Sequence, residues 1–240
     1  MANSVTSPVR FHPDAPRPRF LWQASLPTNW VRIDTHPEAS PHRLSQIAEN
    51  YIPGHRLKRA EQKLVLQQLE QLVKAARDGS ILLTLILPGL SEDGQATSAT
   101  LLLRWYDSSP EFASLRTVEQ AFSTKDATTQ QCTSPKGTAY LYSSNTTQSG
   151  PISQRRTTFH HQAFLPIPST TWTLVISGSA PDEETDELLG NIVKRVANSV
   201  QAHPETLGET FEGLDLLDSN FFAGSQEACL LYTSPSPRAL

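Results

Sequence analysis

Two hydrophobic periods alternate along this chain. Ile81–Leu87 (ILLTLIL) is apolar at every position except Thr84, the pattern of a strand covered on both faces rather than one. Before it, Arg56–Arg77 carries Leu57, Ala60, Leu64, Leu69, Leu72, Val73 and Ala76 at three- and four-residue steps. That spacing predicts an amphipathic helix, with Asp78-Gly79 as its stop. Asp182–Gln201 predicts a second one, its stripe formed by Leu188, Leu189, Ile192, Val193, Val196 and Val200. Between them the period is mostly two. In Ala99–Tyr106 the residues Ala99, Leu101, Leu103 and Trp105 share one face. Thr138–Tyr142 reads as a strand, and Arg156–Leu165 and Thr171–Ser177 read as an antiparallel pair joined at Pro166–Ser169.

The remaining segments are shorter. Phe20–Gln23 begins a strand, and Leu26–Asn29 turns into a strand at Trp30–Asp34. A helix runs over Pro41–Tyr51 until Pro53-Gly54 breaks it. Pro110–Phe122 is a short helix with Ser109 as its N-cap. Thr124–Pro135 is polar and ambiguous, and Ser143–Gly150 reads as a loop. The order lacks the strict strand–helix alternation of a dinucleotide-binding fold. The expected class is α+β: a mostly antiparallel central sheet of about six strands, with helices on both faces.

Composition narrows this picture. The chain has 240 residues, 38% hydrophobic, with 18 prolines against 11 glycines. Low apolar content and high proline content assign part of the length to extended segments. The expected division is a Pro-rich flexible arm (1–22), one α+β domain (23–203), an acidic tail (204–228) and a non-native tail (229–240). The last boundary rests on Cys229–Arg238 (CLLYTSPSPR), which resembles a translated sequencing-library adapter of the transposase type. On that resemblance the native sequence ends near Ala228, and Cys132 is its only cysteine. Net charge is −4, which disfavours nucleic acid and anionic membranes as partners. Residues 1–20 hold no continuous apolar core of a secretory signal, and no run approaches a membrane span. Two cysteines make no disulfide framework, so the expected location is cytoplasmic.

One resemblance emerges from these elements. The Leu26-Pro27-x-x-Trp30 opening, the long Arg/Leu-rich helix, the apolar strand, and the closing Trp172-x-Leu174-Val175 strand with its acidic-start helix (Asp182–Glu187) resemble a group of uncharacterised actinobacterial cytoplasmic proteins. Their architecture is similar to the PsbP-like α/β/α sandwich. The resemblance spans residues 26–201 and rests on apolar positions. The wider fold includes a photosystem extrinsic subunit, a nuclear-import factor that binds a small GTPase, and chaperones for secreted effectors. It therefore implies a non-enzymatic protein-binding or chaperone-like module, secretion-associated in some members, with another protein as partner. It carries no site residue over to this chain.

Chemistry-bearing motifs are sparse. The phosphate-cradling G-x-x-x-x-G-K-[ST] and G-x-G-x-x-G are absent, as is the zinc motif H-E-x-x-H; no cofactor or metal is expected. His160 and His161 are strand neighbours, so they point to opposite faces and cannot readily share a metal. Cys132 has Lys136 nearby but no histidine near it in sequence. Gly89–Gly94 lacks the spacing of a nucleophile elbow. A hydrolase or transferase, the alternative reading, would need Cys132 or a serine beside His160 or His161, with a carboxylate behind. His55, Arg56, Lys58, Arg59 and Lys63 gather at a helix start, where cations oppose the helix dipole and invite an anionic partner. With Trp22, expected in the arm and free to dock, they form the candidate interaction surface. Asp182, Glu183, Glu184, Asp186 and Glu187 suit a helix N-terminus by sign alone. Asn145-Thr146-Thr147 is a sequon only in form.

Overall fold

Every pairing in the main sheet is antiparallel. The computed structural model describes residues 11–39, 41–91, 94–122, 127–149, 156–206 and 229–232. In chain order the elements are β1 (Leu21–Leu26), β2 (Val31–Ile33), α1 (Pro41–Glu49), α2 (Arg59–Asp78), β3 (Leu83–Leu90), β4 (Ala96–Asp107), α3 (Leu115–Phe122), β5 (Thr128–Thr133), β6 (Ala139–Ser149), β7 (Arg156–Pro166), β8 (Trp172–Ala180), α4 (Glu183–Ser199), β9 (Gln201–His203) and β10 (Cys229–Tyr232). Seven strands form one sheet in the order β2-β3-β4-β8-β7-β6-β5, and β10-β1-β9 form a second, three-stranded one. The class is α+β, with one strand more in the main sheet than the expected six. The extra strand, β5, comes from the polar stretch that hydrophobic pattern leaves unassigned; its side chains are almost all exposed.

Strand alternation decides what each helix touches. Leu174 and Ile176 of β8 share a buried cluster with Leu189, Val193 and Val196 of α4. Their neighbour Val175 packs instead with Phe164, Leu141 and Val118 of α3. Ile86 of β3 packs with Val65, Leu69 and Val73 of α2. The register aligns Leu101 with Gly178 and Leu103 with Ile176, so the apolar rows of β4 and β8 coincide under α4. Ile81–Leu85 are all buried, as the unbroken apolar run requires.

The second sheet completes the larger core through aromatic contacts. Trp105 meets Phe20, Trp22 and Trp172 edge-to-face at 6.0, 5.1 and 6.3 Å between centroids, the arrangement ring quadrupoles favour. Phe20 and Trp22 are 0% and 1% exposed. This corrects the expectation that residues 1–22 are an arm with Trp22 free: Ala15 and Pro18 are buried as well, and β1 begins at Leu21. Positions 1–10 of that arm lie outside the described residues, as does the acidic tail beyond the short 3₁₀ turn Pro204–Thr206.

Three boundaries also differ from expectation. Helix α2 starts at Arg59 because Lys58 is extended and its N–H donates to Glu61 Oε2 at 2.7 Å. Ser109 is not an N-cap: its N–H and hydroxyl bond Asp107, and Ala113 N–H donates to Thr170 O. That ties down residues 108–113 and leaves Ser114 to start α3, its Oγ accepting from Thr117 N. The supposed loop Ser143–Ser149 is strand, paired residue for residue with Gln162–Arg156; polar side chains hid it because backbone pairing does not need apolar ones.

If Trp22 is core, Trp22→Ala lowers unfolding free energy by about 3–5 kcal/mol in urea titration. An unchanged midpoint would return Trp22 to an unpacked arm.

Candidate functional site

Two features stand out: a buried polar chain beneath α4 and a groove of mixed polarity along its outer side. The polar chain begins with the two histidines. They do point to opposite faces. His160 bonds Thr147 Oγ1 at 2.8 Å, and burial, followed by neighbouring His161, holds its ionisation below the ordinary histidine value. His161 is buried and uses both ring nitrogens: Nδ1 lies 2.5 Å from Tyr142 Oη and Nε2 2.5 Å from Asp186 Oδ1. An ionised carboxylate only accepts, so Nε2 carries the proton and donates to Asp186. Nδ1 is left to pair with the phenol. Lys194 Nζ sits 4.3 Å from the centre of the Tyr142 ring.

Two glycines make this arrangement possible. A Cβ on Gly190 of α4 would stand 2.9 Å from Tyr142 Oη and 3.1 Å from His161 Cε1. A Cβ on Gly178 of β8 would stand 2.8 Å from Leu189 Cδ1. Both contacts are closer than van der Waals packing allows, so the helix rests on the sheet only because these side chains are missing.

Sequence reasoning missed Tyr142, Asp186 and Gly190 as partners of His161. Asp186 was grouped with the acidic run at the α4 start, which does cap the helix: Asp182 Oδ1 accepts from Thr185 N at 2.8 Å. The signal was positional. Asp186 and Gly190 are four apart and continue the stripe of Val193 and Ala197, so an acid lies on a buried face.

Of the chemistry expected of the alternative enzyme reading, a serine stands across from each histidine, Ser144 from His161 and Ser179 from His160, and Asp186 lies on His161; the Cys132 thiol stands apart. Cys132 pairs with Tyr140, and His161 with Ser144. Tyr140 and Ser144 are four residues apart on β6, roughly 13 Å along the strand. Among the described residues, neither Cys132 nor any serine is hydrogen-bonded to His160 or His161. Cys132 lies against two phenols instead. Burial first, then the Cys132 charge and hydrogen bond, push Tyr140 up to about 12. Burial, then the charges of Asp186 and Cys132, push Tyr142 up to about 12. Among the described residues no group of three potential ligands could hold a metal ion, and no helix is long and apolar enough to cross a membrane.

The expected interaction surface divides. His55, Arg56, Lys58, Arg59 and Lys63 are all exposed around the start of α2, with Glu61 among them, its carboxylate accepting the N–H of the N-cap residue Lys58. Trp22 does not join them; it is core.

A groove of about 630 Å³, lined by polar and apolar residues alike, lies between residues 25–30 and the outer side of α4. Leu188, 49% exposed, and Ile192 line one wall; Pro27, Trp30 and Leu87 line the other, with Arg195 at the rim. Two buried polar atoms on its lining residues, Trp30 Nε1 and Asn198 Oδ1, have no hydrogen-bond partner among the described residues.

No protein-family model matches this chain, and no curated protein matches it.

Removing the phenol tests the polar chain. Tyr142→Phe leaves His161 Nδ1 buried and unpaired, lowering stability by about 1–3 kcal/mol at neutral pH. The alkaline limb adds a signature. An acid whose folded value is raised contributes stability that is whole below its unfolded value, about 10, and lost as pH climbs through about 12. Urea midpoints measured from pH 9 to 12 should therefore fall less steeply in Tyr142→Phe; parallel curves would refute the assignment. Gly190→Ala should destabilise by about 1–3 kcal/mol through the same contact, whereas at an ordinary exposed helix position alanine would stabilise.

Proposed function

We propose that this protein is a non-enzymatic protein-binding or chaperone-like module, cytoplasmic and secretion-associated, built as a PsbP-like α/β/α sandwich with helices on both sheet faces. The observation that carries this reading is the groove beside α4. Elsewhere the α4 stripe is covered by the sheet, yet Leu188 stands half-exposed with Ile192 beside it. A concave surface that combines half-exposed apolar side chains with polar ones suits contact with a partner. The clusters on either side of β8 support the sandwich: α4 lies with Leu174 and Ile176, α3 with Val175.

The polar chain favours this reading over an enzyme. His161 has both nitrogens occupied by Tyr142 and Asp186 and stands under a helix, where it braces α4.

A client assay tests the proposal. At about equimolar ratio the full chain should delay light scattering from reduced insulin, and Leu188→Asp should lose about half of that delay or more. Its own stability should move by no more than about 0.5 kcal/mol, as expected for a surface change. No delay by the wild type, or an equal delay by Leu188→Asp, would overturn it.

A further inference from the structure

The central strands carry a polar patch that neither the core packing nor the α4 groove uses. On the sheet face opposite α4, one cross-strand row runs Thr100, Ser179, His160, Asn145, from β4 through β8 and β7 to β6. The next row runs Leu102, Ser177, Gln162, Ser143. Helix α2 covers this face on one side: Ile86, the neighbour of Thr100 on β3, is buried against it. Helix α3 covers the row that follows, where Val175, Phe164 and Leu141 pack with Val118. Among the described residues, the face between the two helices is open as a hollow of about 390 Å³, within the size range of small-molecule sites.

The demands of the fold do not account for what lines it. Strands favour β-branched and aromatic side chains, and asparagine is depleted there. Here Ser177, Ser179, Gln162 and Asn145 stand side by side on β8, β7 and β6, all half-buried. A solvated face ordinarily carries charge, and 18% of the chain is charged. Among the described residues lining the hollow there is no Asp, Glu, Lys or Arg. Burial, and then the neighbouring His161, lower the ionisation of His160, so its imidazole is uncharged at neutral pH. Arg104, in the row under α3, lies over the Phe122 ring at 5.9 Å.

The polar groups also brace one another. Thr100 Oγ1 and Ser179 Oγ are 2.7 Å apart, Gln162 Nε2 donates to Ser177 Oγ at 3.2 Å, and Thr147 Oγ1 bonds His160 Nε2 at 2.8 Å. Hydroxyls, carboxamides and a neutral imidazole each both donate and accept. A matching ligand offers groups that do both. It carries no charge, because an ion here would lose water without meeting a counter-charge. Hydroxyl groups meet both requirements. The described lining holds no Phe, Tyr or Trp, so a flat nucleic-acid base would find no such ring to stack on.

We propose that this hollow between α2 and α3 binds a small uncharged polyol, a sugar or sugar alcohol, through Thr100, Ser179, His160, Asn145, Gln162 and Ser177. It lies on the opposite sheet face from α4 and its groove, so the two sites can fail independently.

Amide chemical shifts of the isotope-labelled full chain test this with D-glucose, D-sorbitol and myo-inositol as probes. At least one should shift the Thr100, His160 and Ser179 amides saturably, with a dissociation constant of about 10 mM or tighter. Glucosamine and gluconate, charged relatives of the first two, should bind about tenfold more weakly than the best neutral probe, or worse. Gln162→Leu and Ser179→Ala, made separately, should each weaken that binding about fivefold or more, with the amides of α4 unshifted. Saturation by none of the three, shifts centred elsewhere, equal binding of glucosamine or gluconate, or full affinity in either folded variant would overturn the proposal, whatever the outcome with insulin.

Discussion

The seating of α4 on β7 and β8 is the constraint on which the rest depends. A helix normally stands off a sheet by the depth of its side chains. Here Gly178 and Gly190 remove that depth at two points, and the space is filled by Leu189 and by the Tyr142–His161 pair. The helix then cannot be shifted by a fraction of a turn without driving backbone into a ring. Asp186 bonding His161 across the same interface fixes its rotation. With α4 fixed, its outer side is fixed too, and so are Leu188 and Ile192 facing residues 25–30.

The same interface holds a polar triad. Tyr142, His161 and Asp186 form an uninterrupted hydrogen-bonded line. Each imidazole nitrogen is committed within the interface, and the phenol at the far end is held protonated by burial. Buried polar groups that satisfy one another specify a unique arrangement of the elements that carry them.

Much of the architecture is legible in hydrophobic spacing. The stripes of α2 and α4, the doubly covered β3 and the β7–β8 hairpin are all written as apolar periods, because burial dictates them. What escapes that reading is held by something other than apolar area. Ser143–Ser149 and β5 pair through the backbone and polar side chains, as Thr147 does with His160. The start of α3 is set by bonds from residues 108–113 to β4 and to the approach to β8. Trp22 looks like part of a proline-rich arm until the distant Trp105 receives it. At the candidate sites, Asp186 is hidden among acids that do cap the helix. The groove depends on bringing residues 25–30 against 188–199, a proximity that local spacing does not encode.

The pairing of β1 with β9 joins residues 21–23 to residues 201–203. Contacts separated by about 180 positions close a large loop, at an entropic cost recovered only once the intervening structure exists. On the ribosome, the Trp22 strand therefore emerges well before β9 does. Until then that side of it stays unpaired, a period of exposure that the finished fold no longer shows.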